Sequence, residues 1–310
     1  MSDTVQQQNE TQASVTPLET GSRPLSYGWG KIAVITGATY HEVTRQPVYY
    51  VLIGVFGVLI FLSPLFALFH FEEKDMVMEL GIASLMAAGI FIAVVSAGFS
   101  ISREMDKMVP FSILCKPVRR AHFLLGKFFG VYLAVVIATV FLAFMMILSI
   151  DVFRSSRELN AAGTVQDPVG FWGAVDQYVQ VVVVRQMLPV LSAVVVTAFG
   201  LAIVTAFAVS VAVHFPLVVT GAVCLLVFIL GNLAGFAMLA TAGSSGIERI
   251  IAWACHVVLP NMGMFNMTNL VAVDKRIGLS YIGGTTLYSI LYSTAVLLAG
   301  VAFFERKEIK

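Results

Sequence analysis

From residue 48 onward, long apolar runs alternate with short polar ones. A helix of about 20 apolar residues crosses the hydrocarbon core of a bilayer. Runs of that length are expected at 48–70, 80–101, 122–150, 187–213, 215–240 and 281–304. The first is entered through Pro47 and interrupted by Ser63-Pro64. The second carries Gly81, Ala83, Ser84, Ala87 and Ala88, small residues suited to close helix contact. The third is longer than a crossing requires, so it begins in the aqueous phase or tilts. The fourth and fifth are separated only by His214 and its neighbours, which predicts a tight hairpin. Six spans place both termini on one side.

Two further segments have helical apolar spacing without the length to span. In 29–45, Trp29, Ile32, Ala33, Thr36, Tyr40 and Val43 fall on one face, with Lys31, His41, Glu42 and Arg45 opposite. Such a helix lies at the membrane interface. In 247–258, Ile247, Ile250, Ile251, Ala254 and Val258 share a face, and Glu248, Arg249 and His256 gather on the other. This second segment reads equally as interfacial or as part of a re-entrant element buried in protein. Residues 1–26 are rich in Gln, Thr, Ser and Glu and lack the apolar segment of a signal peptide. They read as a disordered cytoplasmic arm before a membrane domain over 27–310.

Composition agrees with the pattern. The chain is 58% hydrophobic and 12% charged, with a mean hydropathy of +0.89, whereas soluble domains carry roughly a quarter charged residues. The net charge of +1 gives no reason to expect a nucleic-acid partner. Lys and Arg are distributed unequally. The N-terminal arm, the 102–127 loop and the C-terminus hold 12 of the 19, and the other side holds 7. By the positive-inside tendency both termini are cytoplasmic. The expected location is the plasma (inner) membrane of a prokaryote.

The chemistry of soluble enzymes is missing. The sequence contains no Gly-x-x-x-x-Gly-Lys-Ser/Thr, His-Glu-x-x-His, Gly-x-Ser-x-Gly or Cys-x-x-Cys. Cys115, Cys224 and Cys255 are scattered, and the five histidines sit mostly at span ends. Neither set suggests a metal site, and no cofactor is expected. Ionisable residues inside spans are almost absent, whereas ion-coupled transporters place them at mid-membrane. Energy for transport would then come from outside the chain. Asn232, within Gly231-Asn232-Leu233-Ala234-Gly235, reads as helix packing with an interhelical hydrogen bond. Its other reading is a residue lining a translocation path.

The most informative segment is the cytoplasmic loop from Ser102 to Lys127. Pro110 suits the first turn of a short helix, Phe111–Cys115. Lys116-Pro117 breaks that helix, and Arg119-Arg120 lie at the phosphate level before the third span. On charge alone this is a topogenic loop. Its order of residues, however, resembles ABC-2-type permeases, the membrane subunits of a class of ABC exporters. The matching positions are Glu104, Pro117-Val118-Arg119-Arg120, Phe123-Leu124-Leu125 and Gly126-Lys127. Residues 38–47, Val258-Leu259-Pro260-Asn261 with Phe265-Asn266, and Phe303-Phe304-Glu305-Arg306-Lys307 are similar to the family as well. The chain departs from it at Met108-Val109-Pro110, where members often carry Gly-Thr.

The resemblance implies an all-α membrane protein of six transmembrane helices, with an amphipathic N-terminal interfacial helix and a cytoplasmic coupling elbow between spans 2 and 3. It implies that Glu104, Lys116, Pro117, Arg119, Arg120 and Lys127 couple to a separate ABC ATPase subunit. Beside the lipid bilayer, the remaining partner would be a second copy or a related permease. The alternatives are a structural or assembly membrane protein and an ion-coupled transporter.

Overall fold

The computed structural model describes residues 26–67, 73–106, 120–161, 188–240, 246, 259–266 and 278–306. The helices are α1 (Ser26–Thr44), α2 (Pro47–Ala67), α3 (Glu73–Asp106), α4 (Arg120–Ala161), α5 (Leu188–Ala212), α6 (Leu217–Ala240) and α7 (Leu279–Arg306). A 3₁₀ turn, Met262–Phe265, lies between α6 and α7. The described residues are all-helical, and α2 to α7 are each long and apolar enough to cross a membrane. The protein is a multi-pass integral membrane protein by that measure. Of the arm expected over 1–26, Ser26 instead begins α1 and residues 1–25 lie outside the described residues, as does the amphipathic segment at 247–258.

The sequence order sets which helices meet the lipid. In α5, 72% of the spanning window is buried within the protein, and in α3 61%, against 22% in each of α2, α6 and α7. Thus α5 and α3 form the centre and the other three the rim. Rim helices turn Val55, Val58, Leu226, Leu233, Leu287 and Leu291 outward, which hydrocarbon favours and water does not. Close approach at the centre uses small residues. Gly89 of α3 faces Leu201 of α5, and Gly81 faces Met146 of α4.

Pro64 does not end α2, which continues to Ala67. A proline has no N–H for the carbonyl four residues earlier, here that of Ile60. The Ser63 hydroxyl donates to that carbonyl at 2.8 Å, and Ser149 Oγ of α4 donates to the next one, Phe61 O, at 3.1 Å. The polar groups a proline frees in a membrane helix are thereby satisfied.

Contacts along the chain fix the directions. Residues Ile35, Thr39, Tyr49 and Gly57 meet Gly126, Gly130, Ala134 and Leu142 in that order, so α1 and α2 run parallel to α4. By contrast, α3 runs antiparallel to α4, with Gly81 near Met146 and Ser100 near Lys127.

Candidate functional site

Helix α1 docks on α4 because α4 presents glycines there. A Cβ at Gly126 would lie 2.6 Å from Ile35 Cγ2, and one at Gly130 would lie 2.8 Å from the Thr36 carbonyl oxygen. Any side chain at either position would separate the helices. The Gly126-Lys127-Phe128-Phe129-Gly130 spacing is thus a small-x-x-x-small face that admits a second backbone. Thr39 and Val43 of α1 are buried against this face, and the Thr36 hydroxyl donates to Gly126 O at 3.4 Å. Glu42, expected on the polar face of α1, is instead turned inward. It lies seven residues after Ile35 and three after Thr39, on the docked side.

Inward, Glu42 meets a cation. Lys127 Nζ lies 3.0 Å from Glu42 Oε2 and donates to Ser100 Oγ at 2.8 Å, while the Ser100 hydroxyl donates to the same Glu42 oxygen at 2.7 Å. The ammonium also sits 5.9 Å from the centre of the Phe123 ring. Lys127 is 3% exposed and Glu42 29%. A charge removed from water this far is retained only when paired and hydrogen-bonded. This triangle ties α1, the end of α3 and the start of α4 together. Those ends of α3 and α4 are the ones joined by residues 107–119.

On the other side of the protein, the segment around the 3₁₀ turn reaches into the bundle. Met262 and Phe265 are buried. Phe265 lies against Gly200 of α5, and the Pro260 carbonyl approaches Gly231 of α6 so closely that a Cβ there would be 2.5 Å from the oxygen. The Asn261 N–H donates to Tyr288 Oη at 3.0 Å, and Tyr281 Oη donates to the Met264 carbonyl at 2.7 Å. Tyr288 is about 13 Å along α7 from its first residue. Leu259–Asn266 therefore packs into the bundle, with the Asn261 N–H and the Met264 carbonyl bonded to α7. A cavity of about 30 Å³ beneath it is lined by Ile82, Met86, Thr197, Asn232, Met262 and Phe265, among others.

Of the residues singled out in the sequence, Lys127 and Asn232 have described side chains. Lys127 makes the internal contacts just given. Asn232 lines the small cavity, and its Nδ2 donates to Phe228 O of its own helix at 3.0 Å rather than to a neighbouring helix. Gly231 beside it accommodates the Pro260 carbonyl, so the small-residue pattern there packs the Leu259–Asn266 segment. Glu104 lies in the last turn of α3 and Arg120 begins α4; neither side chain is among those described. Lys116, Pro117 and Arg119 lie outside the described residues. No family model matches the chain, and no curated protein matches it.

Sequence reasoning missed Glu42 and the Gly126/Gly130 face. The glycine spacing was a readable signal, because two glycines four apart at the start of an apolar helix predict a close neighbour. Glu42 had a weaker one, an acidic residue on a helix whose other face was itself only moderately apolar.

Proposed function

We propose that the protein is the membrane-spanning permease subunit of an ATP-driven ABC exporter, with both termini cytoplasmic in a prokaryotic inner membrane. It would line the translocation path as a homodimer or beside a related permease, and ATP would be hydrolysed on a separate subunit. The observation that carries the reading is the buried Glu42–Lys127–Ser100 triangle. It clamps α1, α3 and α4 at the ends of α3 and α4 that residues 107–119 connect in the sequence, and those residues include Lys116, Pro117 and Arg119 of the ABC-2-like order. A push on that loop would move three helices together, as coupling to a nucleotide-driven partner requires.

A second support is the scarcity of charge in the spans. In the six spanning windows the Asp, Glu, Lys and Arg residues are Glu79, Lys127 and Asp151, each within seven residues of a window end. That gives ion coupling at mid-membrane little to work with. The test is purification of the tagged protein from its native membrane under mild conditions, beside a Glu104→Ala, Arg119→Ala, Arg120→Ala variant. The expected result is a co-purifying nucleotide-binding subunit, weakened in the variant. A preparation without any ATPase moves the weight to an assembly role.

A further inference from the structure

Helices α3 and α6 run antiparallel and touch through glycines. Gly98 of α3 meets Leu217 of α6, and a Cβ at Gly221 of α6 would lie 3.4 Å from Val94 Cγ1 of α3. One position round each helix the two surfaces part, and an open groove of about 310 Å³ runs along the seam. Its walls include Phe91 and Val95 of α3 and Val218, Ala222 and Leu225 of α6, and every residue lining it is apolar or glycine. Phe91 is 46% exposed and Val218 80%, although α3 is otherwise a central helix. The Phe91 ring packs against that of Phe56 in α2, centroids 5.8 Å apart, so a third helix braces this wall.

Depth decides what fills the groove. It starts at Leu217, the first residue of α6 and of its spanning window, just after the His214-Phe215-Pro216 turn. It ends at Leu225, eight residues and about 12 Å further in. One leaflet of the hydrocarbon core is about 15 Å deep. The groove therefore occupies a single leaflet, on the side of Ser100 and Lys127, and stops short of mid-membrane. A spanning helix of another protein would need a path through both leaflets. Width points the same way: 310 Å³ over about 12 Å leaves a section roughly 5 Å across, against about 10–12 Å for a helix with its side chains. The occupant is then narrow and apolar. Hydrocarbon gains no hydrophobic energy by moving from lipid to this groove. It gains contact on two walls, which an unfilled groove would leave without neighbours.

We propose that this groove binds one acyl chain of a membrane phospholipid from that leaflet, with the headgroup beside the His214-Phe215-Pro216 turn. The chain lies between Phe91 and Val95 on one wall and Val218 and Ala222 on the other. No charged side chain lines the groove, so recognition is of the chain. The site does not depend on what the protein transports, and its failure would leave the exporter reading where it stands.

The test uses the full chain in phosphatidylcholine vesicles that hold a trace of phosphatidylcholine with a diazirine midway along one acyl chain. After illumination, adducts are mapped by peptide mass spectrometry. Val219 and Leu226 serve as references, being exposed on α6 at the same depth but outside the groove. Labelling at Phe91, Val95, Val218 and Ala222 is expected to exceed theirs about tenfold, the 1.4 kcal/mol that on the order of ten extra carbon contacts supply. Ala222 is exposed, so Ala222→Trp fills the groove from outside the helix contact and should bring the ratio down to about one. Leu226→Trp should leave labelling in the groove unchanged. The comparison within the native chain stands even if a variant fails to fold. Labelling no greater in the groove than at Val219 and Leu226, or an excess that survives Ala222→Trp, overturns the proposal and leaves ordinary boundary lipid. Groove residues that stay unlabelled while Val219 and Leu226 react overturn it too, and place another protein segment there.

Discussion

Replacing Glu42 by alanine would leave the Lys127 ammonium in place without its counter-charge. The ammonium is 3% exposed, so water cannot reach it without opening the α1–α4 contact. Removing one member of a buried pair costs about 3–5 kcal/mol. The remaining Ser100 Oγ and Phe123 ring contacts put the expected loss near the lower bound, about 3 kcal/mol. The converse variant is milder. In Lys127→Met the stranded carboxylate is 29% exposed and can rehydrate, so about 1 kcal/mol is expected. The double variant Glu42→Leu, Lys127→Met removes both charges and keeps apolar volume, and should recover most of the loss. Unfolding in mixed micelles of maltoside and dodecyl sulfate, followed by helical circular dichroism, gives the three values and their coupling. Equal costs for the two single variants, or additivity in the double one, would refute the burial asymmetry on which this reasoning rests.

Gly130→Leu should push α1 away from α4, because the Thr36 carbonyl has nowhere to retreat; a loss of about 1–3 kcal/mol is expected, together with faster proteolysis within α1. Gly231→Ala should destabilise by a similar amount through the Pro260 carbonyl, about 1–3 kcal/mol. Gly283→Ala, with nothing within 4 Å of the added methyl, should be neutral or slightly stabilising by melting temperature, as alanine is the better helix former. Tyr288→Phe removes the acceptor of the Asn261 N–H and should cost about 1 kcal/mol. Hydrogen exchange should then rise at Asn261 more than along α7.

The spans were legible in the sequence because hydropathy is local: a segment of α5 such as Ala193–Ala212 is apolar whatever it touches. Their bounds agree with the helices to within three residues, except that α3 runs from Glu73 to Asp106 and α4 extends through Ala161. What surrounds each span was not legible. Ser63-Pro64 read as an interruption, since the hydroxyls that compensate the proline come partly from Ser149, 85 residues later. The inward turn of Glu42 depends on a lysine in another helix. Whether the linker before α7 enters the bundle depended on Gly200 and Gly231, whose missing side chains leave space that only the folded arrangement reveals.

The pairing of Lys127 with a residue of α1 also bears on biogenesis. A lysine within an apolar segment resists transfer from the translocation machinery into lipid, by about 2.5–3.5 kcal/mol at the centre of a span and less toward its ends, where Lys127 lies. Here the counter-charge is made first. Glu42 leaves the ribosome 85 residues ahead of Lys127, on a helix that runs in the same direction as α4 and has its glycine-shaped berth there. With α1 at the bilayer surface when α4 arrives, the charge would pass from water to carboxylate without an interval alone in lipid. Order of synthesis thus gives the helix that carries the lysine a counter-charge already made.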